Sequence, residues 1–555
     1  MNNNEKYKII SNNYADLLIE YNRNMEALES NPNFSYNLIN EKYAVLHIPS
    51  SDMTENSISQ FGYAAIPKCY GLMTFYPNEL ISGFTIHEFP SEKLTGKGVL
   101  VGFVDTGIVY TNPIFQYPDK TSKIISIWDQ SIESDNSYPE GIYYGTEYNR
   151  EQINTALKAE NPLNVVPSTD IIGEGTAMAG ISAGFYDLER KFAGEAINAE
   201  LVIVKLKLAK PYLKDFFGIP DQVTCYQEND IIMGINYLLK VANRLHRPIA
   251  ICLGIGSSQG SHKGEDIMSH YLTEIGSLTG NAITLSAGTE GNQKHHYFGE
   301  IISPNYNNQV ELNVGMNDKS FSLELWGYPS DLLSVDIYSP AGKLIYSITN
   351  DIEEQKTFTI INGSTIIYID NIINEIYSEE QLILFRFKNI EEGMWRFRIF
   401  GSGNITNKFN MWLPMRNFLS EDTFFNNASP YTTICHPGNT LNALTVTSYY
   451  PPDRTLDNDA SKGFTSDNIP KPNIAAPGVN IFAPTITNTL MPFSGTSIAA
   501  AHAAGIVAGL LEWGIVNGNL PSMNSTIIRY MITSLAQRLK NEIYPNPDWG
   551  YGLIV

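Results

Sequence analysis

Apolar residues in the middle of the chain form two kinds of segment that alternate. One kind is a continuous apolar run that stops at glycine, which is typical of a strand buried on both faces of a sheet. Four such runs read GVLVGFVDTG, LVIVKLK, IAICLGIG and NAITLSAGTEG. The other kind has apolar residues at helical spacing, as at Ile231, Ile235, Leu238 and Leu245. This alternation predicts an α/β fold with a doubly wound parallel sheet, whose sites lie at the carboxyl ends of its strands.

The residues before this pattern, and one stretch that interrupts it, have a different spacing of apolar and polar residues. Residues 1–78 mix a helical period with short strands such as YAVLHIP, which predicts a small α+β module. From about residue 305 to 420, apolar and polar residues alternate, as in VELNV and MWRFRIF, which predicts an inserted antiparallel β-sandwich. The α/β pattern then resumes. We therefore predict four segments, at residues 1–78, 79–304, 305–420 and 421–555.

Composition narrows the possible partners and compartments. The 555 residues carry 37 Lys and Arg against 58 Asp and Glu, a net charge of −21, which argues against nucleic acid or an anionic membrane as main partner. The start MNNNEKYKII lacks the regions of a signal peptide, and no run of 18 apolar residues occurs, so we expect synthesis in a cytosol without membrane insertion. The cysteines lack metal-ligand spacing and are expected to be buried free thiols: Cys69, Cys225, Cys252 and Cys435.

Three glycine-flanked polar residues lie where strands end or helices begin. They are Asp105 in VGFVDTGI, Glu174 in GEGTAMAG and Ser497 in FSGTSIAAAHAAG. Each alone has an ordinary structural interpretation, because an Asp after a buried strand often caps a loop and Gly-Thr-Ser is a good helix N-cap. Their order and spacing, with KPNIAAPGVNI about twenty residues before the serine, make the combination specific.

This combination resembles the subtilisin-like serine proteases of peptidase family S8, along nearly the whole chain. Members of that family carry the catalytic Asp in D-[ST]-G, the His in G-H-G-T-H, the oxyanion-hole Asn in A-[AS]-G-N-[ED]-G and the nucleophile in G-T-S-[MI]-A. The resemblance implies that residues 1–78 are a prodomain. It also implies that the strand in CLGIGSSQG forms a wall of the substrate cleft, through Cys252, Leu253 and Gly254.

Finer features are similar to the Csp germination proteases of spore-forming clostridia. The stretches that carry this similarity are DTGIVYTNPIF, IISIWDQSI, YYGTEYNREQINTAL and SSQGSHKG, together with the predicted sandwich. The resemblance implies a retained prodomain, a jelly-roll insert, a role in spore germination and a location in the cortex or coat region of the spore. Active members of the group cleave the proform of a cortex-degrading hydrolase.

Two of the four chemical positions depart from the family pattern. Asp105 and Ser497 match, whereas Glu174 stands at the position of the catalytic His and Thr289 at that of the oxyanion Asn. Serine needs a base with a pKa near 7 that takes its proton and later returns it. An unperturbed Glu, with a pKa of about 4.3, is a weaker base than imidazole and is ionised at neutral pH. Because it faces Asp105, we expect one of the two pKa values to rise or the carboxyl groups to separate.

No other residue is expected to replace the missing imidazole. His502 should point into helix packing, and nothing in the sequence orients His295 or His296. The sedolisins, relatives of subtilisin, use Glu in place of His, but they carry the triad Asp four residues later and an Asp at the oxyanion position. Here those positions hold Met178 and Thr289. The remaining histidines are His47, His87, His246, His262, His270 and His436.

We therefore expect a catalytically inactive pseudoprotease whose junction between Tyr70 and Asn78 stays uncut. The resemblance implies that it regulates germination by binding an active Csp protease or the cortex-hydrolase precursor, or by relaying a small-molecule germinant signal. It implies no cofactor, and no calcium-loop spacing appears. The alternative is an active serine endopeptidase that uses Ser497, Glu174 and Asp105.

Overall fold

The N-terminal module, described as far as residue 75, folds around a small antiparallel sheet. The computed structural model describes residues 3–29, 34–75, 94–134, 137–303, 306–328, 332–350, 354–359, 365–402 and 406–554. The elements of the module are α1 (Asn3–Ile10), β1 (Tyr14–Glu20), α2 (Met25–Glu29), β2 (Ser35–Leu38), β3 (Tyr43–Pro49), α3 (Ser57–Phe61), β4 (Cys69–Leu72) and β5 (Thr74–Phe75). Strand β3 lies between β1 and β2, whereas β4 and β5 leave the module and pair with the rest of the chain.

The next part of the chain alternates strands with helices. Its elements are β6 (Leu100–Asp105), β7 (Ile124–Asp129), β8 (Thr146–Asn149), α4 (Arg150–Lys158), α5 (Glu174–Ala183), β9 (Glu200–Lys205), α6 (Pro211–Phe217), β10 (Tyr226–Gln227), α7 (Glu228–Leu245), β11 (Ile249–Leu253), β12 (Ile255–Gly256), α8 (Ile267–Ser277) and β13 (Asn281–Ser286).

Two antiparallel sheets follow and form a sandwich. Their strands are β14 (His296–Ile301), β15 (Asn307–Val314), β16 (Ser320–Gly327), β17 (Leu333–Tyr338), β18 (Leu344–Ile348), β19 (Glu354–Thr359), β20 (Ile366–Ile372), β21 (Leu382–Lys388), β22 (Gly393–Gly401), β23 (Asn407–Trp412) and β24 (Phe424–Phe425). The sheets have the orders β14-β23-β16-β21-β20-β19 and β18-β17-β22-β15-β24. Alternate residues of both sheets share one core, in which the rings of Phe385 and Phe397 lie 5.5 Å apart.

The C-terminal part returns to the α/β pattern. Its elements are β25 (Leu444–Tyr450), β26 (Thr455–Leu456), β27 (Ile474–Pro477), β28 (Ile481–Pro484), β29 (Leu490–Gly495), α9 (Thr496–Leu511) and α10 (Ser525–Leu535). The stretch Thr496–Val516 is long and apolar enough to cross a membrane by length and composition. Most of it is buried inside the protein, which explains its apolar character as that of a central core helix.

The central sheet runs in the order β26-β25-β13-β11-β6-β9-β7-β8, with β27 beside β25. Its pairs are parallel except at β7-β8 and β25-β26. Successive residues of β6 face opposite cores: Val101 and Phe103 pack with α5 and α9, whereas Leu100 and Val104 pack with α7. Burial on both faces explains the continuous apolar runs, and it confirms the predicted α/β fold with its additional antiparallel sheets. The segment limits at residues 78, 304 and 420 stay a prediction.

Candidate active site

Asp105 is the last residue of β6, at the carboxyl end of a central strand. Its side chain is buried, and its Oδ1 accepts a hydrogen bond of 2.7 Å from the backbone N–H of Thr106. Its Oδ2 has no hydrogen-bond partner within the described ranges. Burial, with a further contribution from Asp170, raises the pKa of Asp105 to about 7, although the bonds from Thr106 oppose the rise. Asp105 is therefore partly protonated at neutral pH.

Glu174 is the first residue of α5, and the glycines around it serve close packing. Gly173 has a φ of +109°, a conformation that L side chains rarely adopt. A Cβ on Gly175 would lie 2.3 Å from the carbonyl oxygen of Gly107, and the Gly175 N–H donates to Thr106 Oγ1 at 2.9 Å. The start of the helix is thus pressed onto the loop that follows Asp105. This contact brings the two carboxyl groups into one site.

The sequence analysis missed Asp170, which holds this turn. Its Oδ1 accepts from the N–H of Gly173 at 2.8 Å, and its Oδ2 accepts from the N–H and the hydroxyl of Thr176 at 3.0 and 2.7 Å. Asp170 therefore fixes where α5 starts. The signal in the sequence is an Asp three residues before a glycine and six before a threonine, which is typical of a side chain that satisfies backbone donors at a helix start.

The Glu174 carboxyl group is 2% exposed, and neither of its oxygens has a hydrogen-bond partner of normal geometry in the described structure. Burial and then the neighbouring Asp105 raise its pKa well above the usual range. The hydroxyls of Ser497 and Thr74 and the backbone of Met73 lie near enough to oppose this rise without reversing it. Burial beside Asp105 therefore favours the neutral form of Glu174, in the direction of the expected rise in one of the two pKa values.

Ser497 is the second residue of α9. The predicted N-cap role of Gly-Thr-Ser is wrong, because Gly495 precedes the helix and no side-chain cap is formed. Thr496 instead turns away, and its Oγ1 accepts from the N–H of Gly288 at 3.0 Å. The Ser497 hydroxyl contacts the hydroxyl of Thr74. Helix α9 thus presents Ser497 to a residue of the N-terminal module.

Thr289 follows Gly288 in the loop after β13 and is buried. The next residue, Glu290, anchors this loop: its N–H donates to Ser461 Oγ at 2.9 Å, and its Oε1 accepts from the N–H of Arg416 at 2.8 Å. Because Gly288 is bonded to Thr496, the loop lies beside the start of α9. The structure therefore places Thr289 next to the element that carries Ser497.

The cleft is filled by the end of the N-terminal module. Strand β4 lies between β10 and β12, with Tyr70 paired to Tyr226 and Leu72 paired to Ile255. Strand β5 continues along the cleft, where Thr74 pairs with Gly495. We call Cys69–Phe75 the cleft strand. It adds main-chain pairing on both sides, as an extended peptide does when it joins a sheet edge.

The side chain of Met73 fills a pocket beside the cleft strand. It is buried, and its Sδ lies 3.3 Å from Ser286 Oγ, a donor in the loop that leads to Thr289. A Cβ on Gly256 would lie 1.5 Å from Met73 Cε, so only glycine there leaves room for this side chain. The expected junction Tyr70–Asn78 therefore lies in the cleft as far as residue 75. Residues 76–78 lie outside the described residues.

The three predicted cleft residues have different surroundings. Gly254 abuts Ser497, since a Cβ there would lie 2.9 Å from Ser497 Cβ. The side chains of Cys252 and Leu253 point into the cores on opposite faces of the sheet. Strand β12 pairs with the cleft strand through Ile255, and the place of Cys252, Leu253 and Gly254 in the cleft wall stays a prediction.

The histidines named as candidate replacements are engaged elsewhere. His502 is buried with its Nδ1 2.8 Å from Glu195 Oε1. The expectation that nothing orients His295 and His296 is wrong: His295 Nδ1 lies 2.8 Å from Glu290 Oε2, and His296 Nε2 lies 2.9 Å from Asn410 Oδ1. His87 lies outside the described residues.

One group of side chains has metal-ligand types close together. Ligand atoms of Glu228, Asp266 and His436 lie within 4.8 Å of one another. His436 Nδ1 is 3.2 Å from Asp266 Oδ2, so an ion pair explains their closeness. This group lines a different cavity from the Ser497 site.

Comparisons with known proteins agree with the fold. The model of the subtilase family matches residues 363–552. The structure of the CspB protease of Clostridium perfringens is similar, with 28% identity and a TM-score of 0.74 over 83% of this chain and 92% of that one. A psychrophilic protease, S41, and sphericase each have 14% identity and a TM-score of 0.41. They cover 83% and 87% of this chain and 91% and 98% of their own.

A comparison with curated proteins finds no match. The parallel sheet and the family match support a subtilisin-like fold. The similarity to CspB covers 83% of this chain. The chain is a subtilisin-like protein of the Csp type.

Proposed function

We propose that this chain is a catalytically inactive Csp-type pseudoprotease that regulates spore germination. The observation that carries the proposal is Glu174 itself, a buried carboxyl group beside Asp105 at the position where the family has an imidazole, whose raised pKa favours the neutral form. The oxygens of a neutral carboxyl group are far too weak as bases to take the proton of Ser497. The first step of peptide cleavage therefore lacks its base.

The stabilisation of the charges that form during peptide cleavage is also impaired. In the family, the imidazolium that forms when the His takes the serine proton is stabilised by the neighbouring Asp. Glu174 is never positively charged, so Asp105 can only repel it when both groups are ionised. Thr289 has a shorter side chain than the Asn that normally donates to the oxyanion. In subtilisin, loss of the triad base costs about 10⁶ in kcat and loss of the oxyanion Asn about 10²–10³. Either loss is enough to remove useful turnover.

The filled cleft supports a regulatory role that does not depend on binding a substrate there. The cleft strand is bound through main-chain pairs on both sides and through Met73. In the proposed state the prodomain stays covalently attached, so its effective concentration at the cleft is high. A partner would then bind another surface. We propose that this partner is an active Csp-type protease or the proform of a cortex hydrolase, in the spore, with a small-molecule germinant as a further possible ligand.

An active-site fluorophosphonate probe tests the chemical half of the proposal. We expect no labelling of the wild type at pH 4 or pH 7.5. Labelling of the wild type at either pH, abolished by Ser497→Ala, would contradict inactivity and support the Ser-Glu-Asp endopeptidase. The variant Glu174→His, alone and with Thr289→Asn, should restore labelling if only these groups are missing.

The same variants test where the cleft strand is positioned. The wild type should migrate as one band near 61.9 kDa. In a revived variant, Met73 in the pocket and Thr74 at Ser497 predict a cut between these two residues. N-terminal sequencing should then find Thr74 as the new first residue, and Ser497→Ala in the same background should abolish the cut.

A reconstituted reaction tests the regulatory half. An active Csp protease and its hydrolase proform are mixed with and without this chain, and the rate of proform cleavage is measured. We expect a changed rate and co-migration of this chain with one of the two proteins in size-exclusion chromatography. An unchanged rate without co-migration would contradict the proposed regulation by these partners.

A further inference from the structure

A second cavity lies where the N-terminal module, the central α/β part and the inserted sandwich meet. It has an outer chamber of about 550 Å³ and an inner chamber of about 30 Å³. Five residues line both chambers, so the two are continuous: Tyr63, Ala64, Ile267, Glu375 and Tyr377. We call the whole the junction cavity. The residues of the Ser497 site do not line it.

The outer chamber is mostly apolar. Leu18, Ile58 and Phe61 come from the N-terminal module, and Ile372 and Ile376 come from the sandwich. Ile376 is 78% exposed at the edge of the chamber, which opens there to solvent. A cavity of this size with an apolar lining at a domain junction is typical of a site for a small organic molecule.

The inner chamber holds two buried nitrogen atoms that lack hydrogen-bond partners in the described parts of the chain. Gln259 Oε1 accepts from the N–H of Cys69 at 2.9 Å, which fixes the orientation of the amide and leaves Nε2 as an unpaired donor. His436 Nδ1 is paired with Asp266, and its Nε2 is unpaired. Both residues are more than nine-tenths buried. Buried polar nitrogen atoms without partners cost free energy unless a ligand group reaches them.

The charges that line the inner chamber restrict what this ligand group is. Glu228, Glu265, Asp266 and Glu375 are there, so a carboxylate ligand would be repelled. The Lys68 ammonium, which donates to the carbonyl oxygens of Tyr63 and Ile66 at 2.9 and 2.7 Å, is one cation against four acids. An ammonium ligand would be attracted by the acids but would leave the donor of Gln259 unsatisfied.

A hydroxyl group meets both requirements. Its oxygen can accept from Gln259 Nε2, its proton can be donated to His436 Nε2, and it is neutral. A hydroxyl group is also small enough for the inner chamber, which has room for about one water molecule. We propose that the junction cavity binds an apolar alcohol, with the hydrocarbon body in the outer chamber and the hydroxyl group in the inner one.

Three ligands with one body and different heads test this assignment. They are 1-adamantanol, 1-adamantanamine and 1-adamantanecarboxylate, each titrated against the full chain at pH 7 with saturation-transfer NMR and thermal shift. We expect the alcohol to bind about tenfold more tightly than either charged analogue, which corresponds to about one hydrogen bond. Equal affinities, tighter binding of a charged analogue, or no binding of the alcohol would overturn the proposal, the last showing that water alone fills the chamber.

Two variants locate the binding. Ala64→Trp should fill the passage between the chambers and abolish alcohol binding. Gln259→Glu keeps the acceptor for Cys69 but replaces the unpaired donor with an acceptor, so it should reverse the preference from the alcohol to the amine. Circular dichroism of the unliganded variants checks that they fold. Alcohol binding that survives Ala64→Trp in a folded protein, or an unchanged preference in Gln259→Glu, would contradict the assignment.

Discussion

Asp16 and Glu174 are both buried carboxyl groups, at 1% and 2% exposure, yet their pKa values shift in opposite directions. Asp16, in the N-terminal module, receives His47 Nδ1 at 2.7 Å, Lys210 Nζ at 2.8 Å and Gln227 Nε2 at 2.7 Å. Burial would raise its pKa, but Lys210 and then His47 lower it far below the usual range. Glu174 is buried to the same degree, and its nearest charged neighbour is Asp105.

The comparison shows that burial alone does not decide the charge of a carboxyl group. Asp16 stays ionised because its site supplies the Lys210 ammonium, a ring nitrogen of His47 and an amide donor across the boundary between the module and the central part. The neutral form of Glu174 is favoured because its site offers a carboxyl neighbour instead of a cation. The first site holds two parts of the chain together, and the second holds a carboxyl group with a raised pKa.

Isosteric amides should separate the two sites most strongly. Asp16→Asn leaves Lys210 buried without its counter-ion, so we expect a loss of about 3–5 kcal/mol in the free energy of unfolding. Glu174→Gln removes a carboxyl group whose raised pKa costs stability above pH 4.5, so it should leave the free energy of unfolding unchanged or raise it. Urea unfolding at pH 7 measures both. Similar losses for the two variants would contradict the assigned protonation states.

The pH dependence of stability should have opposite signs at the two sites. The pKa of Glu174 is raised on folding, so its contribution is complete below its unfolded value of 4.5 and is lost as pH rises through the folded value. Wild type should therefore lose stability relative to Glu174→Gln between pH 5 and 9, by up to about 1.4 kcal/mol per pH unit.

The pKa of Asp16 is lowered on folding, so its contribution is present above its unfolded value of 3.8 and is lost only as pH falls below it. The gap between wild type and Asp16→Asn should accordingly be constant from pH 5 to 9 and shrink in acid. Unfolding curves of the three proteins over this range check both slopes, and parallel curves for wild type and Glu174→Gln would refute the raised pKa.

The smallest effect should come from the pocket of Met73. Gly256→Ala places a methyl group against Met73 Cε and should cost about 1–3 kcal/mol of overpacking. Met73→Ala removes the clash, so the double variant should be less destabilised than the sum of the two single ones. Hydrogen exchange of the backbone amides in the cleft strand measures the destabilisation at this site. Strict additivity would show that Met73 does not occupy this pocket.

The chemical positions could be predicted from the sequence because they lie in short motifs whose local geometry is set by glycine. Gly173, Gly175 and Gly107 allow backbone contacts that bring Asp105 and Glu174 together. The side chains that orient His295, the role of Asp170 and the lack of a cap at Ser497 depended on partners that are distant in sequence or on the start of a helix. Such partners leave no periodic signal.

By itself, the sequence determined the alternation of strands and helices and the identity of the groups at the catalytic positions, because burial on two faces and glycine-flanked turns are local patterns. The tertiary structure decided that Glu174 is buried beside Asp105 with a raised pKa, that Thr74 lies at Ser497, and that a cavity with unpaired buried nitrogen atoms lies where three parts of the chain meet. These properties depend on distances between residues that are far apart along the chain, and electrostatic and packing energies depend on such distances.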